Sequence, residues 1–271
     1  MSGILTVLGC SGSAGVPRIG NDWGSCDPTE PKNTRTRASI AVQNGPDTII
    51  VDTGADFRTQ INRENIKDIS AVFYTHMHSD HVNGIDDLRG FRDQTKRQVP
   101  IYGMEDVISF LESRFDYMFR DALPYYPQAL VPHIWTPDMM GVEQVFGETP
   151  YTIFRQDHEG LLTLGFRFAD VAYSTDMVNL DQAAINTLRG IKTWVVDGNN
   201  LYIEKPGPHA NLKGLIEMNE QIGAEKIYIT HMKNNLDYQT LCRELPKGYR
   251  PAFDGLRIAL DGTVLNDNAG F

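Results

Sequence analysis

Four potential metal ligands fall within six residues of the segment Thr75-His-Met-His-Ser-Asp-His81: His76, His78, Asp80 and His81. The segment follows Ala71-Val-Phe-Tyr74, an apolar run that reads as a buried strand. In extended backbone, side chains at i and i+2 point to the same side, so His76 and His78 can grip one ion. If a helix then begins, Asp80 and His81 project differently and can grip a second ion alongside. Neutral imidazole and carboxylate suit Zn, Mn or Fe(II). The chain has only 7 histidines in 271 residues. Three of them at ligand spacing in one short window are poorly explained as a polar surface loop.

A metal centre needs further ligands, and these should stand at the ends of later strands. His158 lies in Gln156-Asp-His-Glu-Gly160, Asp176 ends Val171-Ala-Tyr-Ser-Thr-Asp176, and His231 ends Ile227-Tyr-Ile-Thr-His231. Singly, each is an ordinary strand-end polar residue. With the first window they supply two nearly equivalent sites and a bridging acid. The expected cofactors are two divalent ions, Zn or Mn, with a water between them. Two cations against Asp80 and Asp176 leave the site positive, which suits a phosphodiester that gains negative charge on attack. Such a pair can also lower the pKa of a shared water and clamp both oxygens of an in-line displacement.

Two loops could meet a substrate. Gly9-Cys-Ser-Gly-Ser-Ala-Gly-Val-Pro17 follows the first strand, and its glycines serve either a tight turn or close approach of backbone N–H groups to an anion. Ser11 and Ser13 in it are candidate substrate contacts. Pro208-His-Ala-Asn-Leu212 opens an expected helix, placing His209 near its N-terminus, where it could donate to a phosphate oxygen or protonate a leaving group.

Asp52 with the ligand candidates His76, His78, Asp80, His81, His158, Asp176 and His231 resembles the ordered motifs of the metallo-β-lactamase superfamily, over nearly the whole chain. The resemblance implies an α/β fold, an αββα sandwich of two mixed β-sheets flanked by helices. It implies that His76, His78 and His158 hold one ion and Asp80, His81 and His231 the other. Asp176 would bridge them, and Asp52 would steady a ligand histidine or the metal loop from behind. An Asp at position 176 leans away from β-lactam hydrolases, where the resemblance would favour a thiolate. The loop from Gly9 to Pro17, Trp23-Gly-Ser-Cys26, Arg35-Thr-Arg37 and the His209 segment look like the PhnP-type phosphodiesterases, which open a five-membered cyclic ribose phosphate. Carried over, this makes the chain a phosphodiesterase acting on a small, cyclic ribose or nucleotide, diester with a hydroxide bridging the two ions. His209 becomes the general acid or phosphate-stabilising group, and Asp80 could also accept a proton. Family members with a structural zinc carry a cysteine cluster after the Trp-Gly pair. Ser25-Cys26-Asp27 leaves one thiol, too few for a tetrahedral sulfur site, so no structural zinc is expected.

Three rivals share the ligand set. An RNA endonuclease of the tRNase Z type would need a basic docking surface. The chain instead carries 25 Lys and Arg against 35 Asp and Glu, a net charge of −10, and its one basic run is Arg92-Asp-Gln-Thr-Lys-Arg97. Extended nucleic acid is therefore not an expected partner. A lactone, thioester or lactam hydrolase could use the same ions but has no obvious use for His209. A nucleotide-binding or metal-sensing protein would keep the scaffold without turnover.

The elements that must position these residues are short strands and interspersed helices. Strands are expected at 4–9, 38–42, 48–51, 71–74, 151–154, 162–168, 171–174, 193–196 and 226–229. Helices are expected at 85–92, 105–119, 180–188, 212–222 and 236–244. Gly45-Pro46-Asp47 reads as a hairpin turn. Residues 115–137, with Leu123-Pro-Tyr-Tyr-Pro127, read either as an insertion over one end of the sandwich that faces substrate or as an ordinary aromatic satellite core, and His133 reads as structural. Arg35 and Arg37 read as surface or loop-anchoring residues. Asp197, ending Thr193-Trp-Val-Val-Asp197, either joins the site from behind or does not. No boundary divides residues 1–271, so one domain is expected. Cys10, Cys26 and Cys242 form neither a disulfide framework nor a CxxC pair. The N-terminus lacks a basic leader and no apolar run nears the roughly 20 residues that span a bilayer. These features predict a cytoplasmic protein without a membrane partner, and they are compatible with a homodimer.

Overall fold

The computed structural model describes residues 3–121, 127–203 and 207–267. Strands β1 (Ile4–Gly9), β2 (Ser39–Asn44), β3 (Asp47–Val51), β4 (Ala71–Phe73), β5 (Val99–Met104) and β6 (Leu130–Trp135) build one sheet. Strands β7 (Glu143–Phe146), β8 (Thr149–His158), β9 (Leu161–Phe168), β10 (Val171–Ser174), β11 (Thr193–Asp197), β12 (Lys226–Thr230) and β13 (Tyr249–Pro251) build the other. β14 (Arg257–Ala259) returns to pair with β1, so the spatial orders are β14-β1-β2-β3-β4-β5-β6 and β13-β12-β11-β10-β9-β8-β7.

Each sheet is half antiparallel and half parallel. β14, β1, β2 and β3 pair antiparallel, whereas β3, β4, β5 and β6 run parallel. The second sheet repeats this, antiparallel from β7 to β10 and parallel from β10 to β13. Parallel neighbours need crossovers, and helices supply them: α1 (Phe57–Arg63) between β3 and β4, α2 (Ser79–Val82) and α3 (Leu88–Thr95) before β5, and α4 (Glu105–Arg114) before β6. On the other side α5 (Gln182–Leu188), α6 (Leu212–Ile222) and α7 (Tyr238–Glu244) link β10 to β13.

Period-2 alternation fixes the layers. On β3, Ile49 and Val51 join the core between the sheets, while Ile50 packs outward with Phe57, Ile61, Leu88 and Leu111 of the helices. β4 does the same with Ala71 and Phe73 inward and Val72 outward. The αββα sandwich of two mixed sheets is thus observed. The hairpin at Gly45 and Pro46 also forms, with Asn44 opposite Asp47.

Residues 115–137 differ from expectation. Leu130–Trp135 is not an insertion over the sandwich but the edge strand β6, parallel to β5. Pro132 is tolerated because an edge strand leaves one side of its backbone unpaired. His133 stacks on Tyr102 with ring centroids 4.5 Å apart, in keeping with a structural role. Leu123 to Tyr126 lie outside the described residues. Among the described residues no helix is long and apolar enough to cross a membrane.

Candidate metal centre

Parallel pairing within each sheet aligns the carboxyl ends of neighbouring strands, and the ligand candidates follow those ends. Asp52 comes directly after β3, His76 to His81 after β4, Asp176 after β10, and His231 directly after β12; His158 is the last residue of β8. Three groups of ligand atoms result, each with its atoms within 4.8 Å of one another: His76, His78, His158 and Asp176; Asp80, His81, Asp176 and His231; and Asp176, Asp197, His209 and His231. Asp176 belongs to all three. Its Oδ2 lies 2.8 Å from His81 Nε2 and 3.2 Å from His231 Nε2, while Oδ1 lies 3.5 Å from His158 Nε2.

The outer nitrogens of three of the imidazoles, His76, His81 and His158, are engaged, which leaves their inner ones to meet an ion. Asp52 accepts from the Thr75 backbone N–H at 2.8 Å, from the Thr75 hydroxyl at 2.8 Å and from His81 Nδ1 at 2.7 Å. A hydroxyl donates only once, so Thr75 Oγ1 accepts from His76 Nδ1 at 2.9 Å. His158 Nδ1 donates to the Pro208 carbonyl at 2.6 Å. Each arrangement puts the proton on Nδ1 and the lone pair on Nε2, as outer partners of ligand histidines do.

A cation fits this donor set. His76 Nε2, His81 Nε2 and His231 Nε2 are buried without a hydrogen-bond partner. Buried orphans of this kind are rare and costly. His81 Nε2 sits at salt-bridge distance from Asp80 and Asp176, yet without hydrogen-bond geometry. Burial alone would strip the proton from His231, but Asp176, Asp80 and Asp197 outweigh it and raise its pKa to about 9. Burial likewise opposes charge on His81, and Asp176, Asp52 and Asp80 hold its pKa well above the ordinary value. The acids thus create a negative potential that a metal ion would satisfy better than two extra protons.

Local backbone conformation aims the side chains. Asp52, Asp176 and His231 all adopt positive φ, at 64°, 47° and 57°. Such residues cost of order 1 kcal/mol or more and cluster at functional sites. Gly54 is required for a different reason: a Cβ there would collide with the Asp80 carbonyl. Gly54→Ala is expected to cost about 1–3 kcal/mol through overpacking and to weaken zinc binding by shifting Asp80. A thermal melt and a zinc titration check this, and unchanged values in both would show that the loop yields freely.

His209 is close to the cluster, its ring centroid 5.0 Å from those of both His158 and His231. It stands three residues ahead of α6, near the start of that helix as expected. α6 begins at Leu212, with Asn211 as its N-cap accepting from Gly214 N–H. Asp197, fully buried at the end of β11, holds His209: Oδ2 accepts from His209 Nδ1 at 2.7 Å and from Met177 N–H at 3.1 Å. Oδ1 accepts from Asn199 N–H at 2.8 Å. Asp197 therefore joins the site from behind. Its signal in the sequence was the same as that of Asp176, an apolar strand ending in an acid.

The serine pair divides. Ser11 is fully buried and its hydroxyl donates to the Gly12 carbonyl, so it faces the protein and not a substrate. Ser13 is exposed and lines a cavity that reaches His209. Arg37 anchors that loop, donating from Nε to the Ser13 carbonyl at 2.9 Å and pairing with Asp56 at 2.9 Å. Arg35 is buried and holds Asn33, which also donates to Asp237 and accepts from Tyr238 N–H. The segment around Cys26 is thus tied to the start of α7 by an Asn–Asp–Arg network.

Residues 47–232 match the model of the beta-lactamase superfamily domain. A solved structure described as a new diphosphatase from the PhnP family is 32% identical, with 95% of this chain and 97% of that one covered and a TM-score of 0.83. The zinc-bound PqqB of Methylobacterium extorquens shares the fold at 18% identity, covering 94% and 99% with a TM-score of 0.71. An octanoyltransferase of Porphyromonas gingivalis (strain ATCC BAA-308 / W83) is 27% identical over 264 residues, which are 94% of this chain and 51% of that protein. The chain spans about half the length of that curated relative. By sequence and by architecture alike, the chain belongs to the metallo-β-lactamase superfamily and, within it, to the PhnP family.

Proposed function

We propose that the chain is a metal-dependent phosphodiesterase for a small diester. In this reading His76, His78 and His158 hold one divalent ion, Asp80, His81 and His231 a second, and Asp176 is shared. The nitrogen and carboxylate donors suit Zn or Mn. When bound, such a pair supplies a water of lowered pKa and a positive field for the phosphoryl oxygens. The chain's own residues do the rest. Thr75, Asp52 and the Pro208 carbonyl keep the protons of His76, His81 and His158 on Nδ1. Asp197 keeps the His209 proton on Nδ1 when the ring is neutral and stabilises the ring when it is charged. His209 Nε2 is left to donate to a phosphate oxygen or to hand a proton to the departing oxygen.

The observation that carries this reading is the Asp197–His209 pair beside the ligand cluster. Attack on a lactone or thioester carbonyl gives no evident task to an extra histidine fixed by a buried acid. The net charge of −10 also weighs against extended RNA as substrate. The test compares turnover of bis-p-nitrophenyl phosphate with a panel of lactones and thioesters, using zinc- and manganese-loaded protein. Diester cleavage well above the carbonyl substrates is expected. Rapid thioester or lactone turnover without diester cleavage would overturn the proposal and shift attention to the acyl chemistry in the name of the longer relative.

A further inference from the structure

His231 is held differently from the other buried histidines of the cluster. His76, His81 and His158 each have an Nδ1 partner, at 2.9, 2.7 and 2.6 Å. Asp197 Oδ2 stands 3.8 Å from His231 Nδ1, beyond hydrogen-bond reach, and Asn199 Nδ2, at 3.4 Å, is itself a donor. The ring is therefore aimed through its backbone. Residue 231 has φ 57°, a conformation that persists only where the surroundings impose it. Its carbonyl accepts from Asn199 Nδ2 at 2.9 Å.

That amide is costly where it stands. A carbonyl oxygen only accepts, so Asn199 must present its NH2 end, which leaves Oδ1 buried without a partner. A buried amide satisfied at one end opposes folding and calls for another reason to be there. Gly12, in the loop after β1, gives the amide its room. A Cβ on Gly12 would lie 2.6 Å from Asn199 Nδ2 and 3.3 Å from the His231 carbonyl oxygen. Gly12 is not one of the glycines with positive φ, so this close approach is what requires glycine. The backbone N–H of Asn199 donates separately to Asp197 Oδ1 at 2.8 Å. A side-chain substitution therefore spares the support of His209.

We infer that Asn199 is the positioning residue of the second ion site: by holding the His231 carbonyl, its side-chain N–H keeps Nε2 of that ring aimed into the group formed with Asp80, His81 and Asp176. This role rests on the two-ion reading of the cluster and not on which ester is cleaved. Without the amide, residue 231 relaxes toward an ordinary backbone conformation and its ring turns away from Asp80 and Asp176. His76, His78 and His158 keep their places. The second ion is lost first.

Stepwise zinc affinities of the full chain, measured by competition with a chelator, test this. Asn199→Ala is expected to weaken the second ion about 10–100-fold, the range for an outer partner of a metal ligand, and the first by less than about twofold. Gly12→Ala should reproduce that split from the other side, because its methyl displaces the amide. Asn200→Ala removes the neighbouring amide, whose Oδ1 accepts from Lys233 Nζ at 2.9 Å, and should leave both affinities unchanged. Metal-free Asn199→Ala should melt within about 4 °C of the wild type. Equal weakening of both ions, weakening of neither, or the same split in Asn200→Ala would overturn the inference. Wild-type protein that takes up a single ion would overturn it together with the two-ion reading. If the split appears in a protein that cleaves no diester, the role of Asn199 stands and the phosphodiesterase reading falls.

Discussion

Asp176→Asn is expected to remove metal and diester turnover together while leaving the fold intact. Asn is the cleaner substitution because residue 176 has φ 47°, a left-handed conformation that Asn tolerates and Ala resists. Asp176 is buried, and burial alone would raise its pKa; His231 and His81 instead hold the carboxyl well below the carboxylate range. It is the one side chain common to the two proposed ion sites and to the third group, with Asp197, His209 and His231. Loss of an outer partner of a metal ligand costs about 10–100-fold in affinity or activity. Loss of a carboxylate that serves both ion sites should therefore exceed about a thousandfold in kcat/KM. Elemental analysis gives the metal count, and a melt of the metal-free protein checks the fold. Two ions retained by Asp176→Asn would show that it is not shared between them, and its bridging role would fail.

Much of this cluster was legible because each candidate ligand follows or ends a recognisable strand. β1 and α6 occupy the expected residues, and β3, β4, β10, β11 and β12 lie within one residue of expectation. Continuous apolar runs identify buried parallel strands well, and those are the strands that carry the site. The less legible elements are the edge strands and β5, which lies beside one of them. β7 is exposed on alternate residues, β13 and β14 have three residues each, and β5 and β6 contain Pro100, Gly103 and Pro132. Such segments become strands through pairing and not through their own propensity. α1 was missed for a related reason, since only Phe57, Gln60 and Ile61 are buried on its seven residues. Tertiary hydrogen bonds were harder still to read. Nothing local in Thr75 announces that its hydroxyl passes from Asp52 to His76, and nothing in Pro208 marks its carbonyl as the partner of His158. His209 lies near the start of α6 as expected, but the hydrogen bond that orients its ring comes from Asp197, twelve residues earlier, which nothing in the sequence marks.

That hydrogen bond yields the second large effect. If His209 hands a proton to the departing oxygen, its loss matters in proportion to how badly that oxygen needs one. p-Nitrophenolate leaves readily unprotonated, whereas a ribose or alkyl alkoxide does not. His209→Ala is therefore expected to retain both ions and to lose about 10²–10⁴-fold in kcat on an alkyl-leaving diester, with a much smaller loss on bis-p-nitrophenyl phosphate. Asp197→Asn should follow the same pattern at smaller amplitude, because it leaves the imidazole in place but removes the charge that fixes its Nδ1 proton and supports its protonated form. Asp197 also anchors the backbone at Met177 and Asn199, so metal content and melting temperature must be recorded with the kinetics. The leaving-group dependence separates the two roles open to His209. Equal losses on both substrates would make it a phosphate-binding group, and unchanged turnover on both would remove it from the chemistry altogether. A loss confined to the poor leaving group has a single physical source, a proton delivered from Nε2 as the P–O bond breaks.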